Sequence, residues 1–321
     1  MFLVCFLRVL VTGGAGFIGS NVVGRLFNGG FEVYVVDDLS HGSVECLKSY
    51  LDSGLKFFKF DVSSPYFVSS FSRFRFDVII HLAALISVEE SNLLPSRYHE
   101  VNVGGTLNVL ELARRVGTEK FIFASSAAVY GDPVTLPISE LHPLNPKSIY
   151  AASKVEGELL VGVYRRLYGV KTVSLRLFNV YGPGQRFSNY SGVIRIFIEN
   201  ALRGLPLTIY GDGMQTRDFI YIDDVVKAIM LFVENRDFNF DVYNVGSGFP
   251  TRIIDLASMI IKLVNRSVNL NFVSERPGDV KFSYADTSRI RGEFNFNCSI
   301  DLREGLTRTI SYVSQCMRGS L

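Results

Sequence analysis

Tyr150 and Lys154 stand four residues apart in Tyr150-Ala151-Ala152-Ser153-Lys154, so on a helix a phenol and an ammonium project from one face. An unperturbed tyrosine ionises at about 10. A cation held nearby favours the phenolate, and the pair can then act as a general base that accepts a hydroxyl proton. The spacing alone is common on solvated helices, and its weight comes from the segment upstream. Lys120-Phe121-Ile122-Phe123-Ala124 reads as a buried strand that delivers Ser125-Ser126-Ala127-Ala128-Val129-Tyr130-Gly131 to the C-terminal edge of a sheet, the side on which open α/β sheets bind ligands. Ser126 is then placed to hydrogen-bond the reacting oxygen.

A proton acceptor of this kind needs a partner that takes the hydride, and the beginning of the chain supplies a place for one. Strand residues Val9 to Val11 run into Thr12-Gly13-Gly14-Ala15-Gly16-Phe17-Ile18-Gly19 and then a helical pattern. Gly13, Gly16 and Gly19 fall at a strand-to-helix turn, where missing side chains let backbone amides and a helix N-terminus approach a pyrophosphate. The next strand ends in Val35-Val36-Asp37-Asp38, about 20 residues on, where a carboxylate binds the adenosine ribose hydroxyls and repels a 2′-phosphate. NAD is favoured over NADP. Its positive nicotinamide ring, like Lys154, is expected to lower the pKa of Tyr150. Asp61-Val62 follows the third strand and reads either as part of an adenine pocket or as a turn.

The elements that must position these groups are Val-, Ile- and Phe-rich runs at Arg8 to Val11, Glu32 to Val36, Lys56 to Phe60, Val78 to His81, Lys120 to Ala124 and Thr172 to Leu177, separated by amphipathic stretches. Continuous apolar runs alternating with helices predict an α/β fold with a doubly wound, Rossmann-like parallel sheet. Val101 to Val116 and Val155 to Leu167 read as helices apolar on more than one face, one for the sheet and another for a partner subunit, which predicts a homodimer. From Asn179 the texture turns to Gly/Pro/Ser-rich loops, Tyr181-Gly182-Pro183-Gly184-Gln185 and Asn189-Tyr190-Ser191-Gly192. Residues 1–178 are expected to form the NAD domain and 179–321 a smaller, discontinuous α/β substrate lobe. Phe219 to Phe232 as helix and Val242 to Val245 as strand return 219–249 to the first domain, leaving 179–218 and 250–321 in the lobe.

Composition removes other classes. Charge nearly cancels at 33 basic against 31 acidic residues, with no run of like charge that would grip nucleic acid. Cys5, Cys46, Cys298 and Cys316 form no CxxC pair and the four histidines, His41, His81, His99 and His142, no ligand-spaced cluster, so no metal is expected and a reducing, cytoplasmic setting is. The apolar start, Met1 to Leu7, lacks a basic region and a cleavage site and reads as an extended lead-in to the first strand. No membrane span is expected, since Arg8 interrupts the run short of the ~18 apolar residues required.

Together, the loop Gly13 to Gly19, His81-Leu82-Ala83-Ala84, Ser125-Ser126, Tyr150 with Lys154, and Leu175-Arg176-Leu177-Phe178-Asn179 resemble the NAD-dependent epimerase/dehydratase family over nearly the whole chain. The resemblance implies that Ser126, Tyr150 and Lys154 are catalytic and that Phe178 borders the nicotinamide. It implies that Phe17, Ile18, Asp37, Asp38, Asp61, Val62, Leu82, Ala83 and Ala84 line the NAD site, with Asn102 supporting it from its helix. The implied reaction removes hydride from C4 of a UDP-hexose, turns the 4-keto sugar and returns hydride to its other face. Related dehydratases carry an Asp-Glu pair after the catalytic hydroxyl residue and related decarboxylases a Glu nearby. Ala127-Ala128 here leaves elimination without its acid and base, which favours epimerisation.

The same resemblance extends to Gly211-Asp212-Gly213-Met214-Gln215-Thr216-Arg217-Asp218-Phe219-Ile220-Tyr221-Ile222 and Arg276-Pro277-Gly278-Asp279-Val280. It implies that Arg217 and Arg276 clamp the UDP diphosphate, a task that suits planar, permanently charged guanidinium groups. By the same reasoning Asp279 holds the uridine ribose, and Asn179 and Val193 line the nucleotide pocket. Ser283 aligns with a position where a large residue narrows the sugar pocket, so a UDP-N-acetylhexosamine is expected to fit. A UDP-glucuronate epimerase or decarboxylase on the same scaffold, and a dinucleotide-binding sensor without chemistry, are the other readings.

Overall fold

The computed structural model describes residues 7–187, 191–276 and 280–319. The lead-in Met1 to Phe6 lies outside them, as does Asp279. The strands are β1 (Arg8–Thr12), β2 (Glu32–Asp37), β3 (Lys56–Lys59), β4 (Val78–His81), β5 (Lys120–Ser126), β6 (Lys171–Leu177), β7 (Asn179–Tyr181), β8 (Leu207–Tyr210), β9 (Thr216–Tyr221), β10 (Val242–Val245), β11 (Pro250–Arg252) and β12 (Leu270–Val273). Seven form one sheet in the order β10-β6-β5-β4-β1-β2-β3, and its pairs β3–β2, β2–β1, β1–β4 and β4–β5 are parallel. β1 sits between β4 and β2, so the chain winds outward from it in both directions. That reversal is the doubly wound topology, and it opens a crevice at the strands' C-terminal ends.

The helices that matter for the site are α1 (Phe17–Asn28), α2 (Gly105–Val116) and α3 (Ile149–Tyr168). Leu10, Ile79, Phe121 and Phe123 from the sheet pack against Val109, Leu110 and Ala113 of α2 and Val161 of α3 in one buried cluster. α3 presses closest at Gly157, where an added Cβ would lie 2.5 Å from Cζ of Phe123. Ser148 starts α3 by accepting the amide of Ala151 at 3.1 Å, and Gly169 ends it in a left-handed conformation, the standard polar start and glycine stop.

The chain divides into two units, one of residues 1–129, 146–176 and 226–243 and one of residues 130–145, 177–225 and 244–321. The second contains a three-stranded sheet, β11-β9-β7, and a two-stranded one, β12-β8. Phe219 to Tyr221, expected as helix, are the end of β9, and the helix α4 (Ile222–Glu234) begins only after them. The apolar run fits either element by hydropathy; pairing with Asn179–Tyr181 decides for the strand, whose first half, Thr216 to Asp218, pairs with Pro250–Arg252. The segment Val101 to Val116 also departs from a single α-helix, because residues His99–Gly104 form a wider, π-type turn before α2 begins. Among the described residues no helix is long and apolar enough to cross a membrane, and no group of His, Cys, Asp and Glu is arranged to hold a metal ion.

Candidate active site

The glycine loop is shaped by close contacts as much as by flexibility. Gly13 has φ +71°, and a Cβ there would lie 2.7 Å from the amide nitrogen of Ala83. At Gly19 a Cβ would overlap the carbonyl of Gly13. α1 begins at Phe17 with no side-chain cap and no acidic residue in its first turn, which leaves its N-terminal amides open to an anion. Asp37 closes the loop from β2. Its Oδ2 accepts the amide of Ala15 at 3.0 Å and its Oδ1 that of Leu39 at 2.8 Å, while burial pushes its carboxyl up from the ordinary range. Amides aimed at one point beside a buried carboxylate fit a dinucleotide's pyrophosphate and adjoining ribose. Asp38 and Asp61 are occupied locally: Asp38 accepts from Ser40, and Asp61 from Ser63, with Arg97 3.4 Å from its other oxygen. Val62 is buried.

His81, at the end of β4, joins this loop to α2. Its Nδ1 lies 2.6 Å from the hydroxyl of Thr12 and its Nε2 3.0 Å from that of Thr106. Thr106 spends its own proton on the carbonyl of Asn102, so Nε2 carries the imidazole proton and Nδ1 accepts from Thr12. Burial, and then the charge of Lys154, hold His81 down to about 3, so it is neutral. Leu82, Ala83 and Ala84 continue from it, half-buried. Asn102 is buried; its side chain accepts the amide of Leu85 at 2.8 Å and donates to the Leu85 carbonyl and to Ser153, both at 2.9 Å. Asn102 thus ties the segment after His81 to the helix of Tyr150.

On α3, Tyr150 and Lys154 share one face, and β5 lies against it. Ser126, which accepts the amide of Ala128 at 3.2 Å, sits beside the Tyr150 phenol and favours its ionisation, and the Lys154 ammonium donates to the carbonyl of Ala124 at 2.9 Å. One residue between them, Ser125, donates to Glu158, the next side chain of the same stripe. The expected lowering of the Tyr150 pKa is not what this protein alone produces: burial pushes the phenol up, and Ser126 is the opposing influence. Lys154 is itself held down to about 8 by burial, against the charge of Glu158. The lysine gives up part of its hydration without transferring the benefit to the phenol. Glu158, Ser125 and Arg176 escaped the sequence reading, although the i, i+4, i+8 series Tyr150, Lys154, Glu158 was a signal for the first of them.

In the second unit, Phe178 is buried and takes the carbonyl of Val245 at 3.0 Å through its amide. Asn179 donates to the carbonyl of Asp218 at 3.0 Å, and Val193 opens the helix Val193–Arg203. Arg217 donates from one nitrogen to the carbonyls of Thr216 and Val280, at 2.8 and 2.6 Å. It thereby holds Val280, three residues before Ser283. Arg276 is exposed and stacks 3.9 Å from the ring centre of Tyr210. Ser283 is half-buried between Phe282, which bridges to Thr216, and Tyr284, whose carbonyl accepts Ile138. Beneath them Asp218, fully buried, accepts from Ser247 twice, Gly248 and Ala285, an anchor the sequence did not single out.

A dinucleotide loop, an aspartate at the end of the second strand and a Ser/Tyr/Lys group with a buried lysine define a short-chain dehydrogenase-like scaffold. The chain belongs to the NAD-dependent epimerase/dehydratase family, whose model matches residues 9–246, and its cofactor is NAD. It is 39% identical over 308 residues to the UDP-glucose 4-epimerase of Mycolicibacterium smegmatis, covering 95% of this chain and 98% of that one. The crystal structure of UDP-glucose 4-epimerase from Thermotoga maritima with UDP-glucose superposes with a TM-score of 0.92 at 35% identity, covering 97% of this chain and all of that one. UDP-N-acetylglucosamine 4-epimerase from Methanobrevibacter ruminantium M1, in complex with UDP-N-acetylmuramic acid, gives 0.89 at 36% identity over 97% of this chain and 99% of that one.

Proposed function

We propose that this protein inverts the C4 hydroxyl of a UDP-hexose, with UDP-N-acetylhexosamines also admitted. The observation that carries the reading is Tyr150 and the buried Lys154 on one face of α3, with Ser126 beside the phenol, in a chain whose relatives include epimerases named for UDP-glucose and for UDP-N-acetylglucosamine. NAD, when bound, supplies the hydride acceptor and donor. Tyr150 takes the C4 hydroxyl proton as that carbon is oxidised and gives it back when the carbon is reduced, so no net oxidation results. Ser126 orients the same oxygen. Lys154 supplies positive charge that favours the phenolate once the site is assembled. Arg217 and Arg276 bind the diphosphate, with Asp279, outside the described residues, assigned to the uridine ribose. Ala127 and Ala128 bring neither acid nor base, which supports epimerisation over elimination.

Purified protein incubated with UDP-glucose, UDP-N-acetylglucosamine and UDP-glucuronate, without added cofactor, tests this. C4 inversion of the first two is expected by NMR; carbon dioxide release from the third, or inversion of the third alone, overturns it.

Leu159, Val163 and Leu167 lie along α3 at 63, 37 and 68% exposure, with Leu107 of α2 at 41%. An apolar row of this length on two helices supports the homodimer. Light scattering should give twice the chain mass, and Leu159→Glu together with Leu167→Glu should halve it.

A further inference from the structure

Three consecutive residues of β5 lie against three successive turns of α3. The Ala124 carbonyl accepts from Lys154 and the Ser125 hydroxyl donates to Glu158, while Ser126 sits beside Tyr150. Two of these rungs belong to the proposed chemistry. The third leads away from it, to a buried ion pair. Arg176 donates Nε to Oε1 of Glu158 at 2.9 Å and Nη2 to Oε2 at 2.7 Å, with the two side chains 5 and 6% exposed.

A buried ion pair is a weak device for stability, because desolvating both charges offsets much of their attraction and apolar residues of like size serve as well. Its orientation here is specific. The carboxylate is fixed by three donors from two strands and sits one helical turn beyond Lys154. We propose that Glu158 is a positioning residue for the Tyr150–Lys154 pair: clamped by Ser125 and Arg176, it presents a fixed negative charge that keeps Lys154 protonated inside the fold. The inference rests on the catalytic reading of Lys154 for its functional consequence but not for its test.

The surroundings leave Glu158 to do this. On β4, His81 is neutral. On the helices and turns packed against α3 the charged groups are Glu89, Glu90, Arg97, His99, Glu100, Glu111, Arg114 and Arg115. Glu90 is held by Tyr98, Arg97 by Asp61 and Glu100, His99 by Glu156, and Glu111 by Arg114 and Tyr164. On β5, Lys120 is spent on the carbonyls of Val233 and Asn235, and on β6 Arg176 is spent on Glu158 itself; Glu158 is the carboxylate one helical turn from Lys154, and its charge opposes the effect of burial there.

Glu158→Gln keeps the shape and removes the charge, and the double variant Glu158→Gln/Arg176→Met also spares the protein an orphaned arginine. In each, Lys154 is titrated directly by competitive acetylation with acetic anhydride at a series of pH values, read by mass spectrometry of its peptide. The midpoint is expected to fall by about one pH unit, a tenfold change in the ratio of charged to neutral amine, and the alkaline limb of turnover to move with it. A purely structural role would lower activity at every pH and leave the midpoint in place. An unmoved Lys154 midpoint in the folded double variant overturns the proposal, whether or not epimerisation survives. A shifted midpoint in the variants, with the parent protein inactive on every UDP-sugar, would uphold it and reject the proposed function instead.

Discussion

The first unit holds the groups proposed to react with side-chain bonds to regular elements, whereas the second holds the groups proposed to bind substrate on strand ends and loops. Tyr150, Lys154 and Glu158 each meet a partner on β5, and His81 is held at both ring nitrogens. Arg276, by contrast, is exposed against one aromatic ring, and Ser283 has structured neighbours on either side but carries little bulk of its own. The contrast teaches a division of labour. Proton transfer demands sub-ångström placement, which packed helices and strands provide; substrate choice can sit at positions that change without unfolding the scaffold.

The largest test of that division is Tyr150→Phe. It should lower kcat by roughly a thousandfold, the scale of a lost general base, while NAD still binds, as read by cofactor absorbance after gel filtration. Retained turnover would remove the catalytic assignment and with it one side of the comparison.

His81 tests the same region through pH. Its folded pKa of about 3 lies below its ordinary 6.5, so its contribution to stability is complete above pH 6.5 and is lost as pH falls from there toward 3. Between pH 6.5 and 5 the loss is about 2 kcal/mol. Urea midpoints should fall across this interval less steeply for His81→Gln than for the parent, and equal slopes would show that the imidazole is not held neutral.

Effects in the second unit should be smaller and fall on binding. Arg217→Ala is expected to raise KM by roughly tenfold, the scale of one charge-assisted hydrogen bond, and to leave kcat within a factor of about two. A collapse of kcat instead would mean that this unit also shapes the reaction. The smallest change is one of selectivity: Ser283→Tyr should abolish turnover of UDP-N-acetylglucosamine and spare UDP-glucose. Loss of both activities, or of neither, would reject Ser283 as the residue that admits the N-acetyl group.

Much of this arrangement was legible in the residues. A glycine-rich turn between strand and helix, and two side chains four apart on a helix, are local patterns whose geometry depends on few distant contacts, and both formed where their spacing placed them. Phe219 to Tyr221 were misread because hydropathy is shared between a buried helix and a buried strand, and the pairing that decides, with β7, comes from a segment about 40 residues earlier in the chain. The Tyr150 pKa was misjudged for a related reason: spacing reveals a neighbouring charge but not the burial that outweighs it.

The order of residues by itself settled the scaffold and the dinucleotide turn, since each follows from periodicity or short spacing, and it put forward the hydroxyl, phenol and amine to which the proton transfer is assigned. Only tertiary structure decided that His81 is neutral, that Asp218 anchors the second unit, and that Ser125, Glu158 and Arg176 close around one carboxylate. The partners of Glu158 lie 33 residues before it and 18 after it in the chain, and the ionisation of a side chain depends on who surrounds it and how much water is left, which folding alone arranges.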